Sequence, residues 1–242
     1  MTPRDIARSG AVFLDFDGTL VEIAPRPDSI VVPGGLPGML DALCHVTGGA
    51  CAVISGRSIS TLDGFLAPAR LAIAGEHGAA LRRSGDAAVE RIDAPDVPVE
   101  WITAAEAMVA RHPGALIERK PAGLTLHARA CPDALPGFAA VLAAMAAEDA
   151  RFVLLHAHMA VELRPAGADK GRALAALMAQ PPFAGRVPVF VGDDVTDEDA
   201  IAAAEALGGV GYRVADAFGD PAGVRAWLGD IVAAGAVGGD VA

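Results

Sequence analysis

The sequence predicts an α/β fold, in which a Rossmann-like parallel sheet forms the core and an inserted α+β domain interrupts it. Short apolar runs alternate with helical patterns near both ends of the 242-residue chain, which is typical of a parallel sheet covered by helices. These runs lack polar alternation, as strands buried on both faces do. The middle of the chain has a different order of elements. We therefore expect a core domain at 1–99 and 166–242 and an inserted domain at 100–165.

Three strands and two helices are predicted in the first third of the chain. Residues 12–14, 50–54 and 71–74 are apolar runs that end in polar or glycine residues. A helix is predicted at 36–45, where a proline suits the first turn. A shorter helix ends near Leu66. The alternation of strand and helix predicts that these three strands are parallel.

The predicted insert follows a polar, proline-containing stretch at 81–98. Its elements are a helix, a hairpin, a second helix and a second hairpin, at 101–110, 116–129, 136–150 and 151–164. Pro121-Ala122-Gly123 marks the first hairpin turn, and His156-Ala157-His158 is placed at the second. This order predicts an α+β domain.

The last part of the chain returns to the alternating pattern. We expect helix, strand, helix, strand and helix, at 169–178, 187–192, 197–207, 209–214 and 223–231. The proline-rich stretch 21–28 is predicted to be a loop. The tail from Ala234 has no pattern and is predicted to fray.

Composition excludes some classes of partner. The net charge is −11, from 19 basic and 30 acidic residues, which argues against binding to nucleic acid or to an anionic membrane surface. We expect neither a signal peptide nor a membrane span, because the first residues are polar and no apolar run reaches the length of a span. The scattered cysteines, Cys44, Cys51 and Cys131, suit a reducing compartment. We expect a cytoplasmic protein, and a monomer is favoured although the sequence leaves the oligomeric state open.

Side chains suited to one reaction follow three of the predicted buried strands. Asp15 and Asp17 follow the first, Ser55 follows the second, and Asp193 and Asp194 follow the strand at 187–192. The carboxyl ends of parallel strands share one edge of a sheet, where ligands bind. Gathered carboxylates repel each other unless a cation joins them, and Mg²⁺ prefers oxygen ligands and a phosphate. The sequence therefore predicts a Mg²⁺ site at this edge.

A phosphate is also indicated by a lysine in an unfavourable place. Lys170 follows the predicted helix N-cap Asp169, where the helix dipole disfavours a cation. An anionic partner removes this cost. The Ser55 hydroxyl and the amides after it form a natural phosphate cradle, and Gly18 permits a tight turn after Asp17. The alternatives are that Ser55 only caps a helix and that Lys170 is a solvated surface residue.

At these residues the chain resembles the haloacid dehalogenase superfamily of phosphotransferases. The superfamily's four motifs appear in order, as Asp15-Phe16-Asp17-Gly18-Thr19-Leu20, Ser55, Lys170 and Gly192-Asp193-Asp194. Within the superfamily, the chain from about 11 to 215 resembles the trehalose-6-phosphate phosphatases. Further matching segments are Val53-Ile54-Ser55-Gly56-Arg57, Gly75-Glu76-His77-Gly78-Ala79, Glu118-Arg119-Lys120, Leu126-His127-Ala128-Arg129, Val161-Glu162-Leu163-Arg164-Pro165 and the acidic run after Gly192.

The resemblance implies a covalent mechanism. Asp15 is the expected nucleophile, which forms an aspartyl-phosphate, and Asp17 is the expected general acid and base. Asp15, the Asp17 backbone carbonyl and Asp193 are expected to hold Mg²⁺, with Asp194 or Asp197 in support. Lys170 is the expected catalytic cation at the phosphate.

The resemblance also implies substrate-binding residues. Ser55, Gly56 and Arg57 are expected to bind the substrate in the core, Ser55 through the phosphate oxygens. The insert is expected to be a cap, whose Glu118, Lys120 and Glu162 bind sugar hydroxyls. His77, His127 and Arg129 are plausible supporting groups. The alternatives are a surface ion pair between Glu118 and Lys120, a solvated Glu162, and structural roles for His156 and His158.

The implied activity is hydrolysis of trehalose 6-phosphate, and the implied partner is a small sugar phosphate. Two alternatives stay open. The first is a related phosphatase for sucrose phosphate or mannosylglycerate phosphate. The second is an inactive domain that only binds a sugar phosphate.

Overall fold

The computed structural model describes residues 1–24, 26, 29–157 and 159–237. It divides the chain into two compact units. One contains Met1–Glu90 and the described residues from Asp169 onward, and the other contains Arg91–Ala168. The predicted domain boundaries at 99/100 and 165/166 lie close to this division and stay a proposal.

The first unit is built on a seven-stranded sheet. Its strands are β1 (Gly10–Leu14), β2 (Cys51–Ile54), β3 (Ala72–Gly75), β4 (Ala80–Arg82), β5 (Glu90–Arg91), β10 (Val187–Gly192) and β11 (Val210–Arg213). Its helices are α1 (Pro3–Ser9), α2 (Leu36–Val46), α3 (Ile59–Leu66), α6 (Lys170–Met178), α7 (Glu198–Ala206), α8 (Val214–Ala217) and α9 (Pro221–Ala236). The strand order is β11-β10-β1-β2-β3-β4-β5.

The five strands β11, β10, β1, β2 and β3 are parallel to their neighbours, and β4 is antiparallel to β3. β2 and β3 follow β1 toward one edge of the sheet, whereas β10 and β11 lie on the other side of β1, toward the opposite edge. β1 therefore lies at the topological switch point, where the carboxyl ends of strands form a crevice. The predicted α/β fold class with a mainly parallel sheet is confirmed.

Apolar side chains from alternate strand positions form two separate cores, one on each face of the sheet. Val12 and Leu14 of β1 pack with α1, α2, α3 and α9 on one face. Ala11 and Phe13 pack with α6 and α7 on the other. Every residue of β1 is buried. The sheet is thus covered on both faces, and the apolar run before Asp15 follows from that.

The second unit is a four-stranded antiparallel sheet with two helices. Its elements are α4 (Val99–Val109), β6 (Leu116–Lys120), β7 (Gly123–His127), α5 (Leu135–Glu148), β8 (Phe152–Ala157) and β9 (Ala160–Pro165). The strand order is β6-β7-β9-β8. Leu124, Leu126, Val161 and Leu163 lie in one core with residues of α4 and α5. The intervening residues of β7 and β9 therefore point to the opposite face.

The structure adds short elements that the sequence pattern did not predict. Helix α1 begins with a capping box, in which Thr2 accepts the Asp5 N–H and Asp5 accepts the Thr2 N–H, and Pro3 occupies its first turn. That signal was present in the sequence. β4 begins one residue before the polar stretch at 81–98, and β5 lies within that stretch.

Some predictions at the chain ends and turns need correction. Helix α9 continues to Ala236, so the tail does not fray at Ala234. Residues 238–242, most of the proline-rich part of the loop at 21–28 (25, 27 and 28), and His158 at the second hairpin lie outside the described residues.

Of the residues that the structure describes, none belongs to a helix long and apolar enough to cross a membrane. Cys44, Cys51 and Cys131 are free thiols in the structure. The cytoplasmic location and the monomeric state stay predictions.

Candidate active site

Three carboxylates meet at the switch point of the first unit. Asp15 follows β1 and Asp193 follows β10. Asp197 is the last residue of a short 3-10 helix, Val195–Asp197, that begins after Asp194. One oxygen from each of these three side chains lies within 4.8 Å of the others. Asp15 and Asp197 are buried, whereas Asp193 is exposed. The topology therefore gathers carboxylates that are up to 182 residues apart in the chain (Asp197 minus Asp15).

Lys170 is the cation of this cluster. Its Nζ donates hydrogen bonds to Asp15 Oδ1 at 2.7 Å and to Asp197 Oδ1 at 2.6 Å. Only 2% of the residue is exposed. The alternative of a solvated surface lysine is therefore wrong. Asp169 caps α6 by accepting the Arg172 N–H at 2.6 Å, and this cap places Lys170 in the first turn of α6.

The cluster carries more negative charge than Lys170 compensates. Burial and the neighbouring Asp197 raise the pKa of Asp15 well above its usual range. Burial and Asp197 also raise the pKa of Asp193 to about 6, because its carboxyl group lies against the cluster although the residue as a whole is exposed. Burial acts to lower the pKa of Lys170, but Asp15 and Asp197 outweigh it and the pKa is raised. Lys170 therefore stays charged.

Asp197 also organises the backbone around the site. Its Oδ2 accepts the backbone N–H groups of Asp193 and Asp194 at 3.0 and 3.1 Å. The Asp194 carboxylate instead accepts the Val195 N–H at 2.6 Å and caps the 3-10 turn. Of the two residues expected to support the metal, Asp197 lies within the carboxylate cluster and Asp194 beside it.

The turn after β1 leaves no room for a side chain at its centre. Gly18 has φ +78°, and a Cβ there would overlap the Asp193 carboxylate. Its N–H donates to the Val21 carbonyl at 2.8 Å. The next residue, Thr19, donates from Oγ1 to Asp193 Oδ1 at 3.3 Å. The Gly-Thr pair therefore holds the Asp193 side chain at the end of β1.

Asp17 forms an ion pair with Arg57. The guanidinium donates from Nε to Asp17 Oδ2 at 2.6 Å and from Nη2 to Oδ1 at 2.8 Å. The Arg57 guanidinium carbon lies 5.8 Å from the ring centroid of Phe16 and 5.3 Å from that of Phe65. The structure thus brings together two predicted site residues that the sequence had assigned to different roles.

The loop from Ser55 to Arg57 is braced by the segment after β3. The N–H groups of Glu76 and His77 donate to the carbonyls of Arg57 and Ser55 at 2.9 and 3.0 Å. Glu76 and His77 have positive φ, a conformation that is rare for residues other than glycine. A Cβ at Gly56 would overlap the His77 ring. This close packing fixes the backbone of the loop.

Ser55 is buried, and its Oγ accepts the Arg57 N–H at 3.2 Å. The N-cap of α3 is Ser58, which accepts the Thr61 N–H. The alternative that Ser55 serves only as the helix N-cap is therefore wrong.

The donor set of the cluster fits a hard divalent cation. Three carboxylate oxygens converge, two of the residues are buried, and Lys170 leaves part of their charge uncompensated. Mg²⁺ is bound in proteins by one or two carboxylates, with water and phosphate completing its shell. The chemistry of these residues therefore suits Mg²⁺ better than a softer metal, which prefers sulfur or imidazole.

The second unit contains its own polar cluster. Lys120 Nζ donates to Glu162 Oε2 at 2.7 Å, and Thr125 Oγ1 donates to the same oxygen at 3.1 Å. Glu118 Oε2 and His127 Nε2 are 3.0 Å apart. These residues lie on the face of the sheet opposite to the α4 and α5 core. Lys120 and Glu162 are buried, so a solvated Glu162 and a Glu118–Lys120 surface pair are both wrong.

Sequence reasoning did not select Thr125 or predict the partner of Arg57. Thr125 lies opposite both Glu118 and Glu162 in the strand register, a signal that is available once the hairpins are paired. The Arg57–Asp17 pair has no local signal, because 40 residues separate its members.

Comparisons with known proteins show the family of the chain. The trehalose-phosphatase family model matches residues 13–216. A probable trehalose-phosphate phosphatase of Sinorhizobium fredii is 39% identical over 237 residues, which cover 96% of this chain and 86% of the relative. The trehalose-6-phosphate phosphatase of Escherichia coli is 36% identical over 211 residues, which cover 87% of this chain and 79% of the relative.

Solved structures show the same fold. The C-terminal domain of the Candida albicans trehalose-6-phosphate phosphatase matches with a TM-score of 0.77 at 20% identity, and 93% of each chain is covered. A trehalose-6-phosphate phosphatase related protein matches with a TM-score of 0.75 at 24% identity, covering 93% of this chain and 98% of the other. At these identities the two likenesses bear on the fold alone.

Proposed function

The chain belongs to the trehalose-phosphatase family, and from this premise we propose that it hydrolyses trehalose 6-phosphate to trehalose and inorganic phosphate. The observation that carries the proposal is the buried Asp15–Lys170–Asp197 network at the switch point of a chain whose family match covers residues 13–216. The relatives at 36–39% identity are named as phosphatases for this substrate.

Asp15 is the nucleophile of the proposed reaction. One of its oxygens attacks phosphorus as the bond from phosphorus to the sugar oxygen breaks, which forms an aspartyl-phosphate and releases the sugar. Water then attacks the phosphorus of this intermediate, and phosphate and free Asp15 result. The hydrogen bond from Lys170 favours the ionised, attacking form of Asp15 against the raised pKa that burial causes.

Asp17 is the proposed proton carrier. It gives a proton to the departing sugar oxygen in the first step and takes one from the attacking water in the second. Asp17 lies two residues after Asp15, directly before the tight turn at Gly18, and in the proposed reaction both carboxylates serve one phosphoryl group.

Mg²⁺ is the proposed cofactor. Asp15, Asp193 and the Asp17 backbone carbonyl would hold it, with Asp197 or Asp194 in support. Bound there, it would neutralise charge on the phosphoryl group as the reaction proceeds. Ser55, the Gly56 backbone and Lys170 are the proposed contacts of the phosphate oxygens.

The second unit is the proposed source of sugar selectivity. Glu118, Lys120 and Glu162 offer charged donors and acceptors on one face of its sheet. Sugar hydroxyls both donate and accept hydrogen bonds. A sugar with the wrong hydroxyl arrangement would leave some of these side chains without a partner, and it would therefore bind less well.

A phosphate-release assay over a panel of sugar phosphates, with and without Mg²⁺, tests the function. We expect release from trehalose 6-phosphate to exceed release from glucose 6-phosphate, sucrose phosphate and mannosylglycerate phosphate, and to stop with EDTA. Equal rates for trehalose 6-phosphate and glucose 6-phosphate would contradict the proposal. Phosphate release that survives in Asp15→Asn would contradict the covalent mechanism.

A further inference from the structure

Resting on the function proposed above, we propose that Arg57 is a positioning residue that acts through Asp17, not a group that binds the substrate. The resemblance had suggested substrate binding for Arg57. The structure instead places two nitrogens of its guanidinium, Nε and Nη2, on the carboxylate that is to carry the proton.

The geometry of the pair defines one orientation of Asp17. The two hydrogen bonds, at 2.6 and 2.8 Å, join one nitrogen to each carboxylate oxygen. Such bidentate pairs restrict both the position and the plane of a carboxylate, which a single hydrogen bond does not. Asp17 sits in a turn whose next residue, Gly18, has no side chain to support it.

Two aromatic rings lie beside the Arg57 guanidinium. Phe16 and Phe65 are stacked, with ring centroids 5.7 Å apart and planes 14° apart, and the guanidinium lies within 6 Å of both. This is the range of cation–π attraction. Phe16 lies between Asp15 and Asp17 in the chain, so the support of Arg57 is part of the nucleophile turn.

The backbone of Arg57 is fixed as well. Its N–H donates to Ser55 Oγ at 3.2 Å, and its carbonyl accepts the Glu76 N–H at 2.9 Å. The side chain is only 13% exposed. An arginine that is held at its backbone and at its guanidinium is suited to position another residue.

The two hydrogen bonds of the pair are compatible with both proposed proton transfers by Asp17, to the sugar oxygen and from water. Each Asp17 oxygen accepts an N–H from Arg57 in the structure. When one oxygen releases its N–H to exchange a proton with the sugar oxygen or with water, the other hydrogen bond still holds the group. Arg57 thus stays at Asp17 in both steps without exchanging a proton itself.

The chain contains a matched control pair. Arg82 donates to both oxygens of Asp63 at 2.7 and 2.8 Å, and its side chain is 11% exposed. This pair lies in the same unit, and its side chains are about as buried as those of Arg57 and Asp17. Among the residues that the structure describes, it has no hydrogen bond or ion pair with Asp15, Asp193 or Asp197. Arg82→Lys therefore reports what the loss of a bidentate pair does to the fold.

The experiment measures kcat and KM of Arg57→Lys, Asp17→Asn, the double variant and Arg82→Lys with trehalose 6-phosphate. We expect Arg57→Lys to lower kcat about 10- to 100-fold, part of the effect of general acid and base catalysis, with KM within about threefold of wild type. The double variant should be no slower than Asp17→Asn, because residues that act as a unit are not additive. Arg82→Lys should keep the wild-type kcat.

A second substrate separates positioning from a general structural loss. With p-nitrophenyl phosphate, the nitrophenolate leaves as an anion and needs no proton, so only the second step uses Asp17. We expect Arg57→Lys to release a burst of about one nitrophenolate per enzyme and then to turn over slowly. Phe65→Leu, which removes one ring from beside Arg57, should give a smaller change in the same direction.

Three results would overturn the role of Arg57. They are a raised KM with an unchanged kcat, effects of Arg57→Lys and Asp17→Asn that multiply in the double variant, and the same loss of kcat in Arg82→Lys. A wild-type enzyme that cleaves p-nitrophenyl phosphate but not trehalose 6-phosphate would contradict the proposed substrate alone, and the burst measurement would still decide on Arg57.

Discussion

Lys170 occupies the first position of α6, where the helix dipole disfavours a cation, and it is almost fully buried. Both features are tolerated because Asp15 and Asp197 each accept a hydrogen bond from Lys170 Nζ. A buried ion network of this kind is a poor source of net stability, yet removing one member leaves charges without partners. At the scale of the residue, the fold and the chemistry therefore depend on the same side chain.

Lys170→Met is expected to lose activity and to lower the free energy of unfolding by about 3–5 kcal/mol, since two buried carboxylates lose their cation. Urea unfolding followed by circular dichroism measures this, with EDTA present. Arg172→Met is the control, because Arg172 is 69% exposed in the same helix and should change the unfolding free energy by less than about 0.5 kcal/mol. Equal stability of the two variants would contradict the role of the network.

The pH dependence of stability in EDTA is expected to report the acidic cluster. The pKa of Asp193 is about 6 in the folded protein against a usual value of 3.8. Between these values the folded state binds more protons than the unfolded state, so this group's contribution to stability falls as the pH rises. Mg²⁺ should oppose the fall, because the cation compensates the ionised carboxylates.

Thermal unfolding of wild type and Asp193→Asn from pH 4 to pH 7 measures this effect. In EDTA, the melting temperature of the variant minus that of wild type should increase as the pH rises through the window. In Mg²⁺ this increase should disappear, because the cation stabilises the ionised cluster of the wild type. A difference that stays constant with pH would contradict it.

The turn that follows β1 shows how an element places the site. β1 is buried on both faces, and Asp15, the residue that follows it, lies directly in the crevice at the sheet edge. The tight turn at Gly18 then brings the chain against the Asp193 side chain at the end of β10. Two neighbouring parallel strands and one glycine therefore determine the spacing of the carboxylates.

Gly18→Ala is expected to lower kcat and to weaken the apparent affinity for Mg²⁺, each by about tenfold or more. A methyl group there overlaps the Asp193 carboxylate, and the residue has φ +78°, which costs a non-glycine residue about 1 kcal/mol or more. Steady-state kinetics over a Mg²⁺ titration measure both effects. Gly64→Ala is the matched control.

Gly64 lies inside α3 with nothing within 4 Å of a new Cβ. Its replacement should leave kcat unchanged and stabilise the protein by about 0.5–1 kcal/mol. A Gly18→Ala enzyme with wild-type kinetics would show that the carboxylate spacing tolerates more than the structure suggests.

At the scale of the whole molecule, each of the two units holds its own polar cluster. The first unit holds the proposed nucleophile Asp15, the carboxylate cluster and Lys170. The second unit holds a polar cluster on one face of an antiparallel sheet whose other face packs against α4 and α5. This division is consistent with phosphoryl chemistry in one unit and sugar selection in the other.

Glu162→Gln is expected to raise KM for trehalose 6-phosphate about tenfold or more, while turnover of p-nitrophenyl phosphate stays near wild type. The amide keeps the shape of the side chain and an acceptor for Lys120, but it loses the charge that pairs with it. Steady-state kinetics with both substrates measure the split. A parallel loss with both substrates would place Glu162 in the fold and not in sugar recognition.

The sequence by itself determined the fold class and most of the individual site residues. Apolar runs without alternation predict buried parallel strands, and polar residues that follow such strands must lie at one edge of the sheet. Asp15, Ser55 and Asp193 were found in this way, and Lys170 was found from its unfavourable place in a helix. Each of these inferences depends on neighbours within one or two turns of the chain, which a sequence displays directly.

Only the tertiary structure decided which of these residues are partners. Arg57 with Asp17, Lys120 with Glu162, and Lys170 with Asp15 are separated by 40, 42 and 155 residues. Such pairs depend on strand order, on register and on how side chains pack across the interior. No local pattern records these, because every long-range contact is set by the burial of the whole core. The sequence shows where the reactive groups lie along the chain, and the tertiary structure decides which of them contact each other.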